Sequence, residues 1–165
     1  MSNPTAKVMD VVDAVIVRLN QQPTPFFLPF TACFTCQPLY DIKELTDGLK
    51  ITVLPSNEAD TVLNRVKSQE DVDIDVGIQE KLTGSKSNVD NRFRDLQALA
   101  EQFKTLLKLP NPPDGLGPLS LPNNTNTFAT WLGMVPRPLW HYPHMLESRV
   151  FTRVLTFTYR LKIAR

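Results

Sequence analysis

Glu70–Leu82 reads EDVDIDVGIQEKL. Val72, Ile74, Val76 and Ile78 share one parity, and Asp71, Asp73, Asp75, Gly77 and Gln79 share the other. Side chains of an extended chain alternate between two faces, so this stretch is a strand with one dry face and one wet, acidic face. Such a strand belongs in a sheet that is covered on one side only. The cover is supplied just downstream, at 88–108. There Val89, Phe93, Leu96, Leu99, Ala100, Phe103, Leu106 and Leu107 form one stripe of a helix. Ser87 or Asn88 is placed to cap that helix, with Asp90 near the positive end of its dipole, and Pro110 stops it. Six such side chains contribute on the order of 10 kcal/mol gross when buried, before chain entropy is subtracted.

Upstream, Asn3-Pro4 opens a helix over 5–21, with Val8, Val12, Val15, Ile16 and Leu19 at helical spacing. Val is a mediocre helix former, so this helix depends on tertiary packing. Pro23 and Pro25 end it. The region 30–82 then reads as a hairpin and a strand. Thr31–Gln37 alternates, Asp47-Gly48 signals a turn, and Leu49, Ile51 and Val53 alternate with Lys50 and Thr52 up to Pro55. The spacing predicts an antiparallel hairpin around Asp47-Gly48. Residues 56–69 read equally as a short helix or as a loop. The segment 109–145 is rich in proline and reads as a long irregular arm, a kind of segment that is often functional or ordered by a partner. At 149–163, Phe151, Leu155, Phe157, Tyr159, Leu161 and Ile163 share one parity, with Arg153 the single breach. That terminal strand is far longer than usual. The expected architecture is α+β: one domain over 1–165, a mainly antiparallel sheet of about four strands, and helices packed on one face.

The bulk properties exclude several classes. A net charge of +1 offers no basic footprint for a nucleic-acid binder. No run of about 18 apolar residues is present, so no transmembrane helix is expected. MSNPTAKVMD lacks the layout of a signal peptide, so cytoplasmic synthesis with reduced thiols is expected.

No motif with strong catalytic specificity is found. GxSxG, Walker, GxGxxG and HExxH are absent, and no spacing sets up a triad. Cys33 and Cys36 form CxxC, and His141 and His144 form HxxH, so a two-Cys, two-His zinc site is arithmetically available to a small metal-binding enzyme. Three features oppose it. Positions i and i+3 of a strand face opposite ways, no helix follows the CxxC, and Pro143 separates the histidines in an irregular stretch. Buried, inert thiols are favoured. Asp71, Asp73 and Asp75 resemble the start of a calcium loop, but its required Gly and Glu are replaced by Val76 and Leu82. A solvated strand face is the bland alternative to an acidic surface that keeps DNA from sticking. Phe128, Trp131, Trp140 and Tyr142, set among prolines, are candidates for an intersubunit contact.

DGLKITVLPSN, VDIDVGIQEKL, the helix VDNRFRDLQALAEQFKTLL and the strand VFTRVLTFTYRLKI, in that order, resemble the tail terminator and tail-completion (neck) proteins of tailed bacteriophages. The likeness covers most of the chain and rests on arrangement. It implies a small α/β structural protein of the virion, made in the host bacterial cytoplasm. It also implies a homo-oligomeric ring, commonly a hexamer, at the head-proximal end of the tail tube, which stops tube polymerisation and joins the tail to the neck. The implied partners are the tail tube protein, the sheath protein where there is one, and head-proximal neck or connector proteins. DNA would only pass through the lumen, and no membrane, cofactor or metal is implied. In such a ring Asp71, Asp73 and Asp75 are the candidates to face the lumen. Another head-tail connector or adaptor ring is the alternative. The CxxC and the segment 109–126 have no counterpart in the family pattern.

Overall fold

The computed structural model describes residues 7–20, 28–35, 45, 48–62, 67–108, 119–121 and 124–164. Side chains are described for these except at 7, 60–62, 67–68, 119–121, 124–128 and 162–164. The elements are α1 (Lys7–Asn20), β1 (Ala32–Phe34), β2 (Lys50–Val62), β3 (Lys67–Lys81), α2 (Lys86–Lys108), β4 (Leu119–Leu121), β5 (Asn124–Val135), α3 (Tyr142–Ser148) and β6 (Val150–Ala164). The strands form one sheet in the order β1-β2-β3-β6-β5-β4. Every pairing is antiparallel except β1 with β2. The fold is α+β with a mainly antiparallel sheet, as the patterning requires.

β3 and β6 are the spine. They pair without a register break from Lys67↔Ala164 to Lys81↔Val150. This register places Val72, Ile74 and Val76 beside Tyr159, Phe157 and Leu155, so the two apolar parities merge into one dry face. α2 lies over it with Leu96, Leu99, Ala100, Phe103, Leu106 and Leu107 buried. α1 adds Val11, Val12, Val15 and Leu19 to the same core. α1 touches β1 and β2 near one edge and β4 at the other, so the sheet curls around it. The Asn20 amide accepts from the Ala32 N–H (2.8 Å) and donates to the Ala32 carbonyl (3.0 Å), which ties the end of α1 to β1. The buried Tyr159 hydroxyl donates to the Leu107 carbonyl at 2.9 Å, satisfying one of the carbonyls that the last turn of a helix leaves over. Burial pushes this phenol well above its ordinary range.

Several sequence expectations are corrected. The predicted hairpin around Asp47-Gly48 does not form: β1 runs parallel to β2, with Ala32 opposite Ile51. Residues 35–49 are long enough for the crossover that a parallel pair needs, and the true antiparallel partner of β2 is β3. Gly48 does take a turn conformation, with φ of 66°. Pro55 does not end the strand. Among the described residues β1 covers only Ile51–Val53, so Pro55 sits on an open edge where its missing N–H costs no ladder bond. The register shifts between Pro55 and Asn57. The described part of 56–69 is strand, β2 running to Val62 and β3 starting at Lys67, and residues 63–66 lie outside the described residues. The helix start is capped by Ser85, whose hydroxyl accepts from the Asn88 N–H at 3.3 Å, not by Ser87 or Asn88. Finally, 109–145 is not wholly an irregular arm. It supplies β4, β5 and α3, which raises the sheet from about four strands to six. Residues 109–118 lie outside the described residues.

Candidate functional site

The polar parity of β3 faces away from α2, and β6 answers it residue for residue. Asp71 pairs with Arg160, Asp73 with Thr158 and Asp75 with Thr156. Arg160 donates twice to Asp71, Nε to Oδ1 at 2.7 Å and Nη2 to Oδ2 at 2.8 Å. The guanidinium holds the Asp71 carboxyl below the usual carboxylate range, chiefly through these bonds. Thr158 donates to Asp73 at 2.6 Å. Asp75 accepts from Thr156 at 2.6 Å and from Ser56 at 3.0 Å, with an Arg137 nitrogen 3.7 Å away. Asp75 is only 6% exposed, whereas Asp71 and Asp73 are half-buried. The predicted acidic stripe therefore exists as a straight row, but each carboxylate has its own donor across the strand.

Further along this face a second polar chain runs from Gln79 through Thr152 to His144. Gln79 donates to the Thr152 hydroxyl at 3.4 Å, and that hydroxyl lies 2.9 Å from Nδ1 of His144. His141 is the N-cap of α3, its ring nitrogen accepting from the His144 N–H at 3.4 Å. The two imidazole centroids are 3.8 Å apart. Burial and the neighbouring His141 push His144 below its ordinary pKa.

HxxH is thus spent on helix capping and strand contact. Cys33 sits on β1, three strand spacings from β6, or about 14 Å. Ligands of one zinc ion lie about 2 Å from it, so Cys33 and His144 cannot share one. Cys33 is exposed, contrary to the expected buried thiol, because β1 is the edge strand and Cys33 alternates outward from Ala32. Its Sγ lies 3.8 Å from the Ile51 carbonyl oxygen. Cys36 lies outside the described residues. Among the described residues no three His, Cys, Asp or Glu side chains gather as metal ligands.

The four aromatic candidates do not form one patch. Trp131 lies opposite Tyr159 on the dry face and packs against the core, its indole N–H buried with no acceptor among the described residues. Trp140 is half-buried, edge-on to Phe93 (5.5 Å) and tilted against Tyr142 (5.1 Å). Tyr142 projects outward. Phe128 lies on β5 opposite Ser120, and its side chain is outside the described residues. Two neighbours of this set were missed in the sequence: Leu139 and Leu146, at 63% and 65% exposed, are the most exposed large apolar side chains described. Their signal was an apolar residue on each side of Tyr142 in a segment too short to form a core.

Among the described residues no helix is long and apolar enough to cross a membrane. No family model and no curated protein matches the chain.

Proposed function

We propose that this protein is a structural subunit of a phage-type tail terminator ring, working by assembly and performing no bond chemistry. The observation that carries the proposal is the two-sided β3–β6 spine. One face is closed by α1 and α2, and the other presents a row of carboxylates already bonded to Arg160, Thr158 and Thr156. A channel that lets DNA slide benefits from a row of acids that repels phosphate, here Asp71, Asp73 and Asp75, with Lys50 and Lys81 set beyond one end of the row on the same face. Among the described residues nothing pairs with the outer side of β2 beyond Val53, and that edge would offer backbone groups to a neighbouring subunit. In this reading the tail tube protein and a head-side connector are the neighbours, and the virion neck is the location.

Electron microscopy of the purified protein tests the proposal. Rings with a pore of DNA width are expected, alone or on tail tubes. Monomers that stay monomeric with tail tubes present would count against it. Deleting 111–124 tests whether the proline-rich stretch holds the ring together, and a lower mass in solution is expected. An adaptor ring elsewhere in the neck differs only in its neighbour, so retention by immobilised tail tube protein separates the two. Stoichiometric zinc lost with Cys33→Ser would support the metal-enzyme alternative.

A further inference from the structure

A groove of about 210 Å³ opens between the C-terminal half of α2 and the loop that leaves β5. Met134, Val135 and Leu139, with Leu155 at the base, form its apolar lining, Pro136 and Pro138 its rim, and Lys104 and Arg153 supply charge. The volume falls below the roughly 300 Å³ at which small-molecule pockets begin, so the groove suits a single side chain better than a whole metabolite. Its charge is unbalanced. Lys104 Nζ lies 2.8 Å from Oε1 of Glu101, and Arg153 Nη2 lies 3.4 Å from the same oxygen. Among the described residues no second acid pairs with either cation. Arg137 also lines the groove, with its guanidinium turned to Thr156 (3.1 Å) and towards Asp75 (3.7 Å). Glu101 is 62% exposed and so is only loosely held over the pair, whereas Arg153 is 4% exposed and cannot turn to water. The prolines donate no backbone hydrogen bond and keep the rim stiff.

We propose that this groove is a docking site for a protein partner presenting an aliphatic side chain next to an acidic one. The aliphatic group would rest on Met134 and Leu139, and the carboxylate would take the charge that Glu101 leaves over. This site does not depend on ring formation, since neither the β2 edge nor the Asp71–Asp75 row belongs to it.

The test is a ¹H–¹⁵N NMR titration of the full chain with acetyl-Leu-Glu-amide, and with acetyl-Leu-Gln-amide as the neutral control. Saturable shifts at Lys104, Val135 and Leu155 are expected, with the acidic peptide about fivefold tighter than the neutral one. Lys104→Gln should remove that preference, and Lys104→Arg should keep it. The absence of saturable shifts, equal affinity for the two peptides, or a preference that survives Lys104→Gln would each overturn the proposal. Rings seen by microscopy together with a failed titration would leave the assembly reading standing without this site.

Discussion

Arg153 is the one charge on the apolar parity of β6, and it is held by two residues of α2. Its guanidinium donates to the Gln97 amide oxygen and reaches Glu101. Gln97 also donates to the Leu139 carbonyl at 3.2 Å, so one side chain joins α2, β6 and the loop after β5. Gln97 and Glu101 are four apart on the helix and therefore neighbours on its surface. A buried cation that loses its partners costs more than one that was never there. The double change Gln97→Ala/Glu101→Ala is expected to destabilise by about 2 kcal/mol, while Arg153→Met stays within about 1 kcal/mol of the wild type. Urea midpoints at unchanged slope measure both, and equal losses would show that the charge itself contributes the stability. Tyr159→Phe removes a single buried donor from the Leu107 carbonyl and is expected to cost about 1 kcal/mol in the same assay. Arg153 was legible in the sequence as an anomaly. Its partners were not, because Gln97 and Glu101 lie on the polar side of the helix pattern and only the packing angle brings them back.

At the scale of elements, long regular patterns were legible and short or non-local ones were not. β3, α2 and β6 appear within a few residues of their predicted bounds, because each carries a sustained period that burial then enforces. β1 and β4 have three residues each and are defined by their neighbours. β5 was hidden because its alternation is interrupted by a register shift between Trp131 and Gly133. The acidic row was visible on β3, but its neutralisation lay in the register with β6, which residue spacing does not contain. α3 has no fully buried residue; Met145 packs against the core and His144 meets Thr152, so the polar part of its hold should depend on pH. His144 has a folded pKa lowered below its ordinary 6.5. Between those two values the unfolded chain binds the extra proton, so stability falls as pH drops through that window and is fully present above about 6.5. The wild type is expected to lose melting temperature and amide protection at Met145 and Arg149 between pH 7.5 and 5.5, and His144→Gln should flatten the melting response. His141→Asn keeps a cap and removes the imidazole that helps push His144 down, and should hold α3 at the lower pH. An unchanged pH response in both variants would assign it elsewhere.

At the scale of the molecule, the two faces of the sheet answer to different demands. The dry face closes the core, and the polar face carries an ordered row of acid–donor pairs, buried at Asp75 and half-buried at Asp71 and Asp73. If the polar face lines a ring, any charge placed on it is repeated by every subunit around one channel. Asp71→Lys/Asp73→Lys would free Arg160 and add two cations per subunit beside it. Those changes should turn a wall that DNA slides past into one that holds it. Fluorescence anisotropy with labelled duplex DNA measures this. The wild type is expected to show no binding at 0.1 M salt. The variant should bind, losing affinity steeply between 0.05 and 0.2 M salt, because each phosphate contact releases a counterion. A monomer with the same two changes would gain only a few contacts and a shallow salt slope. Variant rings that form normally yet ignore DNA would place the Asp71–Asp75 row on the outside of the assembly.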